Sequence, residues 1–139
     1  MLVGIGADEQ MAGYGRHRTT FLRGGTVALE AELSMDMTRL WKRNLGRDDR
    51  CISDSGREPW FPFLDENVVQ LLQDLNLNQI ADLTAAPGHG DKQILREAAR
   101  LVGLKNCTAL VKRAVQFGTR IAKYKMPGII KKGKGEDII

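Results

Sequence analysis

Residues 2–14 read LVGIGADEQMAGY, and this short stretch decides which fold class the sequence predicts. Leu2 to Gly6 is apolar and contains two glycines, a pattern typical of a short buried β-strand that ends in a sharp turn. Asp8 follows where a helix would begin, and aspartate is a favoured N-cap residue. A strand, a glycine-containing turn and a helix N-terminus can form an anion site, because unpaired N–H groups point outward there. Purely structural turns share the pattern, in which case Asp8 only caps a helix.

The rest of the chain is predicted to be mainly helical. Apolar residues recur at intervals of three and four between Thr26 and Arg43, which predicts an amphipathic helix capped by Thr26. Further helices are predicted after Asp65 and Asp91, because each aspartate precedes apolar residues at helical spacing. The remaining predictions are an extended loop over 59–64, a short helix or turn over 80–83, a helix end near Gly103 and a last helix over 108–123 with an interruption at Gly118.

This inventory predicts a mainly α chain with one N-terminal β-strand. A single strand cannot form a sheet, because a buried parallel strand needs neighbours on its edges. We therefore expect a fragment of a larger domain or a chain that relies on a partner. The same unpaired edge favours self-association.

The composition and residue pattern predict a packed protein without a membrane span or a metal cluster. The chain is 42% hydrophobic and 27% charged, and no apolar run approaches the roughly 20 residues that a spanning helix needs. The N-terminus lacks the layout of a secretory signal, so a cytoplasmic location is expected. Cys51 and Cys107 stand alone and are expected to be free thiols. His17 and His89 have no partner at ligand spacing and are expected to be solvated.

The net charge of +4 is concentrated near the C-terminus. Residues 125–139 are rich in glycine and lysine and are predicted to form a basic, unstructured tail. A basic tail can bind nucleic acid, but no aromatic residue follows Tyr124 to stack on bases. A nucleic-acid partner is therefore not expected.

Three stretches resemble the synthetase domain of asparagine synthetases. Residues 3–14 resemble the family's SGEGSDE segment and the GGY that follows it. Residues 44–50 and 58–65 resemble an Asp-Arg stretch that leads to VPFLD. Residues 92–98 and 112–118 resemble a Lys-x-x-Leu-Arg helix and the basic loop after it. The three stretches occur in the family's order.

The resemblance covers residues 2–122 and implies a fold and an activity. It implies that residues 1–124 are the C-terminal part of an α/β domain of the adenine-nucleotide α-hydrolase type. In that family ATP, with Mg²⁺, activates the side-chain carboxylate of aspartate as an acyl-adenylate, and ammonia from glutamine then attacks. The family's SGGxDS pyrophosphate loop and N-terminal glutaminase cysteine are not found in this sequence. The isolated chain is therefore expected to be inactive.

The resemblance also implies site residues. Asp8 and Arg113 are the catalytic candidates, and the candidate contacts to the cofactor are Val3, Gly4, Gly6 and Lys112. The backbone can make contacts to ATP, so valine at position 3 is compatible with the family's serine. Departing pyrophosphate requires cations, which Lys112 and Arg113 could supply.

Three further positions depart from the family pattern. Ile5 stands where the family has a glutamate implicated in adenylate formation, and an isoleucine can neither take a proton nor bind magnesium. Ala114 stands in the place of a phosphate-contacting lysine, and Trp60 in the place of an arginine. These departures leave an alternative open, in which the chain is a non-catalytic module that binds nucleotide or protein.

Overall fold

The computed structural model describes residues 1–114 and 119–120, and the elements in this part are helices. None of them is long and apolar enough to cross a membrane. In chain order they are α1 Ala7–Gln10, α2 Gly15–Leu40, a π-helical turn Trp41–Leu45, α3 Gly46–Asp54, a 3-10 turn Pro62–Leu64, α4 Glu66–Asp74, α5 Leu77–Ile80 and α6 Gln93–Leu101.

The predicted N-terminal strand does not form in the described residues. Leu2 makes one isolated parallel bridge with Trp60, in which the Val3 N–H donates to the Trp60 carbonyl at 2.8 Å. A regular strand needs a partner along its whole length, and here the pairing stops after this bridge. The mainly α prediction agrees with the structure, whereas the strand and the α/β class are not confirmed.

Helix α1 begins at Ala7, and its N-cap is Gly6, not Asp8 as predicted. Gly6 is the N-cap with φ 97°, and its N–H donates to Oε2 of Glu9 at 3.0 Å. A Cβ atom at Gly6 would lie 2.6 Å from Cδ2 of Leu64, and the positive φ strains any other residue, so this turn favours glycine. The Asp8 carboxylate is consequently not used as a helix cap.

Helix α2 starts eleven residues before the predicted Thr26 cap, at Gly15. It passes through a kink at Gly25, where φ is 65° and ψ is −160°, a conformation that glycine tolerates. Helical backbone resumes directly after Gly25, which agrees with a helix that starts near Thr26, whereas the helical segment before the kink was not predicted. A capping role for the Thr26 side chain stays a prediction. Trp41 lies within the amphipathic helix predicted over residues 26–43, yet it is 62% exposed and is the first residue of the π-helical turn.

The two other predicted caps have different outcomes. Asp65 caps α4 as expected, since its Oδ1 accepts the Asn67 N–H at 2.9 Å. Asp91 does not cap α6, because Lys92 is the N-cap residue in a left-handed conformation with φ 53°. The predicted end of α6 near Gly103 is confirmed by its last helical residue, Leu101.

The structure describes only part of the C-terminal segment for which the sequence made predictions. Residues 108–114 and 119–120 are not helical, so the helix predicted from residue 108 does not start there. The rest of that helix, including Gly118, and the predicted 125–139 tail lie outside the described residues.

Two small hydrophobic clusters bury the segment that follows α1. One contains Ala7, Met11, Leu72 and Ile80, and the other contains Ala12, Leu29, Ala81 and Leu83. Met11 and Ala12 are adjacent in sequence but belong to different clusters, so the chain is held from two sides here. This packing fixes the position of the neighbouring polar residues Asp8 and Glu9.

Candidate functional site

Asp8 lies between two lysines that are far from it in sequence. Its Oδ1 is 3.0 Å from Nζ of Lys92, and its Oδ2 is 3.3 Å from Nζ of Lys112. The three side chains are each about a fifth to a quarter exposed. The fold therefore brings together two predicted site residues, Asp8 and Lys112, and adds Lys92, for which the sequence predicted no role.

This cluster opens onto a cavity of about 460 Å³, which we call the lysine cavity. The predicted Arg113 lines it too, together with Lys92, Lys112 and Asp8. Three cationic side chains around one carboxylate leave an excess of positive charge. Such a cavity suits a polyanion such as a chain of phosphates.

Arg96 also lines the lysine cavity, but its guanidinium is used for structure. Its Nη2 pairs with Oδ2 of Asp91 at 2.6 Å, and its Nη1 donates to the carbonyls of Thr108 and Leu110 at 2.7 and 3.1 Å. Burial by itself raises the pKa of Asp91, but bonds from the Gly88 N–H and from Arg96 hold that pKa below its ordinary value. Arg96 thus ties the loop that carries Lys112 to the start of α6.

The three predicted backbone contacts lie away from the lysine cavity. The Val3 N–H donates to Trp60 and the Gly6 N–H donates to Glu9, so both donors are already bonded inside the molecule. Gly4 is exposed, and no described heavy atom lies within 4 Å of the Cβ position built on it. A role for these three residues in binding nucleotide stays a prediction.

Glu9 is a functional candidate that the sequence analysis missed. It is only 3% exposed, and it lines a second cavity of about 450 Å³, which we call the glutamate cavity. Its Oε1 accepts from the Tyr14 hydroxyl and from Nδ2 of Asn44, the latter at 3.1 Å. No local pattern marks Glu9 in the sequence, because its neighbours Asp8 and Gln10 are polar as well.

Tyr14 connects the two cavities. Its hydroxyl donates to Glu9, and Nζ of Lys112 lies 4.4 Å from the centre of its ring, within the range of a cation–π contact. The guanidinium of Arg16 lies 4.5 Å from the same ring. Burial, followed by the hydrogen bond to Glu9, raises the pKa of the Tyr14 phenol above its ordinary value. The phenol therefore stays protonated and remains a donor to Glu9.

The expectation that His17 is solvated is wrong. Its side chain is fully buried, and its Nε2 is 2.9 Å from Oδ2 of Asp36. Helix α2 starts before His17, so the residue lies in the first turn of a packed helix, not in a loop. His89 is exposed, as predicted, and Cys51 and Cys107 are free and exposed.

The residues of the lysine cavity fit phosphate groups better than they fit a metal ion. Lys92, Lys112 and Arg113 supply cationic donors, whereas Asp8 supplies the carboxylate. Within residues 1–114 and 119–120, no group of three or more histidine, cysteine, aspartate or glutamate side chains could hold a metal. From this part of the chain, Mg²⁺ bound to a phosphate would receive one protein carboxylate, that of Asp8.

Comparison with known proteins decides the family. The model of the asparagine synthase family matches residues 22–125. The chain belongs to the asparagine synthase family. Asparagine synthetase domain-containing protein 1 of Gallus gallus is 54% identical over 123 residues, which are 88% of this chain and 19% of that protein. The human protein of the same name shows the same identity and the same coverage.

A more distant relative agrees with this assignment. An asparagine synthetase domain-containing protein of Drosophila melanogaster is 40% identical over 133 residues, which are 91% of this chain and 24% of that protein. No solved structure is significantly similar to the chain. The resemblance inferred from three motifs is therefore confirmed at the level of the family. The chain spans about a fifth of the length of its curated relatives.

Proposed function

We propose that this chain is the C-terminal part of an asparagine-synthetase-like, ATP-dependent ligase domain. In this proposal it supplies one wall of the site that holds the phosphates of ATP. The observation that supports it is the Asp8 carboxylate between Lys92 and Lys112, at the edge of a cavity with excess positive charge. The rest of the domain, with the α/β sheet implied by the family resemblance, would complete the site.

The lysine cavity supplies electrostatic stabilisation. When bound, ATP would supply the adenylyl group that activates a carboxylate, with pyrophosphate as the leaving group. Lys92 and Lys112 would hold the phosphates, because ammonium groups fixed in advance stabilise negative charge that grows on a leaving group. Asp8 pairs with both ammonium groups, one through each carboxylate oxygen, and would provide the carboxylate for a phosphate-bound Mg²⁺.

The glutamate cavity is proposed to bind the amino-acid substrate. Arg43 and Asn44 line it together with the buried Glu9. Arg43 and Asn44 supply hydrogen-bond donors for carboxylates, and Glu9 supplies a carboxylate for an ammonium group. Aspartate carries both kinds of charge. Tyr14 would keep the Glu9 carboxylate oriented during amide formation.

The remaining parts of the family reaction are proposed for the whole protein, not for this chain alone. Ammonia delivery from glutamine and a cytoplasmic location remain predictions, as does self-association. The chain contains no SGGxDS loop, and we expect no turnover from the chain alone.

Calorimetric titration of the chain with magnesium pyrophosphate tests the proposal. We expect saturable binding that weakens about tenfold in Lys112→Met, because a contact to a charged group contributes about 1.5 kcal/mol. Lys105→Met is the matched control, since Lys105 is exposed and does not line the lysine cavity. Absence of binding, or equal weakening by both substitutions, would contradict the proposal.

A non-catalytic module is the second candidate. It is supported by Ile5, which is apolar and half-buried, and by Ala114, which has no charge. A protein that also carries a pyrophosphate loop would then bind ATP without releasing AMP. The discriminating substitution is Ile5→Glu with Ala114→Lys: AMP release that appears only in this variant favours the module, and release by the parent excludes it.

A further inference from the structure

His17 is completely enclosed and lies between two hydrogen-bonding partners. Its Nε2 is 2.9 Å from Oδ2 of Asp36, and its Nδ1 is 3.4 Å from the backbone nitrogen of Tyr14. The Tyr14 nitrogen can only donate, so Nδ1 must present a lone pair. The proton of a neutral ring then lies on Nε2, directed at the carboxylate of Asp36.

The surroundings of Asp36 support this assignment. Its side chain is 4% exposed, and Arg39 Nη2 donates to its Oδ1 at 3.1 Å, while Arg16 pairs with its Oδ2. Arg16 also contacts Glu32 at 3.3 Å. Because two guanidinium groups compensate the charge of the buried carboxylate, Asp36 can accept the Nε2–H bond of a neutral His17 ring and needs no third positive charge.

His17 holds Tyr14 in two ways. Tyr14 is the N-cap of α2 and His17 is the third helical residue, the position from which a side chain in a capping box accepts the N-cap N–H. The two rings also meet edge to face, with their centres 5.2 Å apart. The backbone and the ring of Tyr14 are therefore both fixed by one side chain.

We infer that His17 is a positioning residue, which as the neutral Nε2–H tautomer keeps Tyr14 between Glu9 and Lys112. Tyr14 bonds to Glu9 through its hydroxyl and faces the Lys112 ammonium with its ring. His17 thereby sets the geometry of both cavities without contacting a substrate. Only the importance of this geometry for catalysis rests on the proposed function.

The tautomer can be measured directly in the unaltered chain. Nitrogen-15 shifts of labelled histidine distinguish Nε2–H from Nδ1–H, and the chain has two histidines, so His89→Gln assigns the signals. We expect the Nε2–H form for His17 at neutral pH. An Nδ1–H tautomer or a doubly protonated ring would overturn the inference.

Ionisation of Tyr14 reports whether His17 acts on it. Ultraviolet absorbance in alkaline solution follows the two tyrosines, and Tyr14→Phe identifies the contribution of Tyr14. We expect His17→Ala to shift Tyr14 ionisation to lower pH, because the phenol leaves Glu9. His17→Asn should restore it, since its amide oxygen can replace Nδ1 as the acceptor.

Val68→Ala is the control for a general loss of stability, because Val68 packs against the hydrophobic cluster from α4 but lines neither the glutamate cavity nor the lysine cavity. It should destabilise the chain without changing Tyr14 ionisation. Unchanged ionisation in folded His17→Ala would overturn the inference. If His17→Ala does not fold, the tautomer measurement and the His17→Asn variant test the inference. Ionisation of Tyr14 at a lower pH in His17→Asn than in the unaltered chain would contradict it.

These measurements need no nucleotide, so they test the positioning role of His17 separately from the proposed function. If the chain does not bind magnesium pyrophosphate but Tyr14 responds to His17→Ala, only the proposed function fails. If binding is normal and neither the binding nor the Tyr14 ionisation changes in His17→Ala, only the positioning role fails.

Discussion

Two clusters of oppositely charged side chains involve the start of α6, and they differ in how completely their groups are bonded. Asp91 and Arg96 are both nearly buried, and Arg96 makes bonds to a carboxylate and to the carbonyls of Asp91, Thr108 and Leu110. Asp8 and its two lysines are about a fifth exposed and border a cavity. The first cluster stabilises the fold, whereas the second retains donors that can reach a ligand.

The difference also shows how one cluster depends on the other. Arg96 holds the loop at Thr108 and Leu110, which leads directly to Lys112. The lysine cavity can remain accessible to water because a neighbouring buried ion pair fixes its wall. Stability and ligand binding should therefore respond to different substitutions, and four predictions test this separation.

The largest effect is expected for Arg96→Met. It leaves the Asp91 carboxylate buried without its partner, which costs about 3–5 kcal/mol in the free energy of unfolding. Urea denaturation measures the loss. Arg100→Met on the same helix is the control, because Arg100 is exposed and, among the described residues, pairs with Glu97 at the surface, so we expect a change within about 0.5 kcal/mol. Similar losses in both variants would remove the distinction between the clusters.

Gly6→Ala should destabilise the turn that presents Asp8. The positive φ and the contact with Leu64 are expected to cost about 1–3 kcal/mol. Gly4→Ala is the matched control, since its added Cβ meets no described atom and its φ is ordinary. Thermal unfolding of the two variants compares them directly. Equal unfolding temperatures in the two variants would mean that the turn does not hold Asp8 in place.

Acid should weaken the Asp91 cluster. Its folded pKa is depressed, so its contribution to stability is present above the ordinary aspartate pKa of about 3.9 and is lost as the pH falls through the folded value. Asp91→Asn should therefore lose less stability than the parent between pH 5 and acid conditions of about pH 3. Denaturant titrations at these pH values measure the difference. The same loss in parent and variant would contradict the assignment.

The smallest effect on stability is expected for Lys112→Met. Its ion pair with Asp8 is partly exposed, so its removal should change the free energy of unfolding by less than about 1 kcal/mol. Urea denaturation, run beside Arg96→Met, provides the comparison. A loss as large as that of Arg96→Met would show that Lys112 is structural, and would leave the lysine cavity without a free cation at this position.

The sequence by itself determined the family, the mainly helical class, the Asp65 cap and the end of α6. These depend on local patterns, namely three ordered motifs, apolar spacing and an aspartate before a helix. Asp8, Lys112 and Arg113 could be proposed as site residues from the same motifs.

Only the tertiary structure decided which groups meet. Asp8 and Asp91 both look like helix caps in sequence, yet Asp8 pairs with the distant Lys92 and Lys112, and Asp91 pairs with Arg96 inside the helix that it was predicted to cap. The buried Glu9 and His17 could not be recognised for the same reason, because their partners Asn44 and Asp36 lie 35 and 19 residues away. Local patterns describe how a segment prefers to fold, but charges at a distance along the chain are paired only by packing.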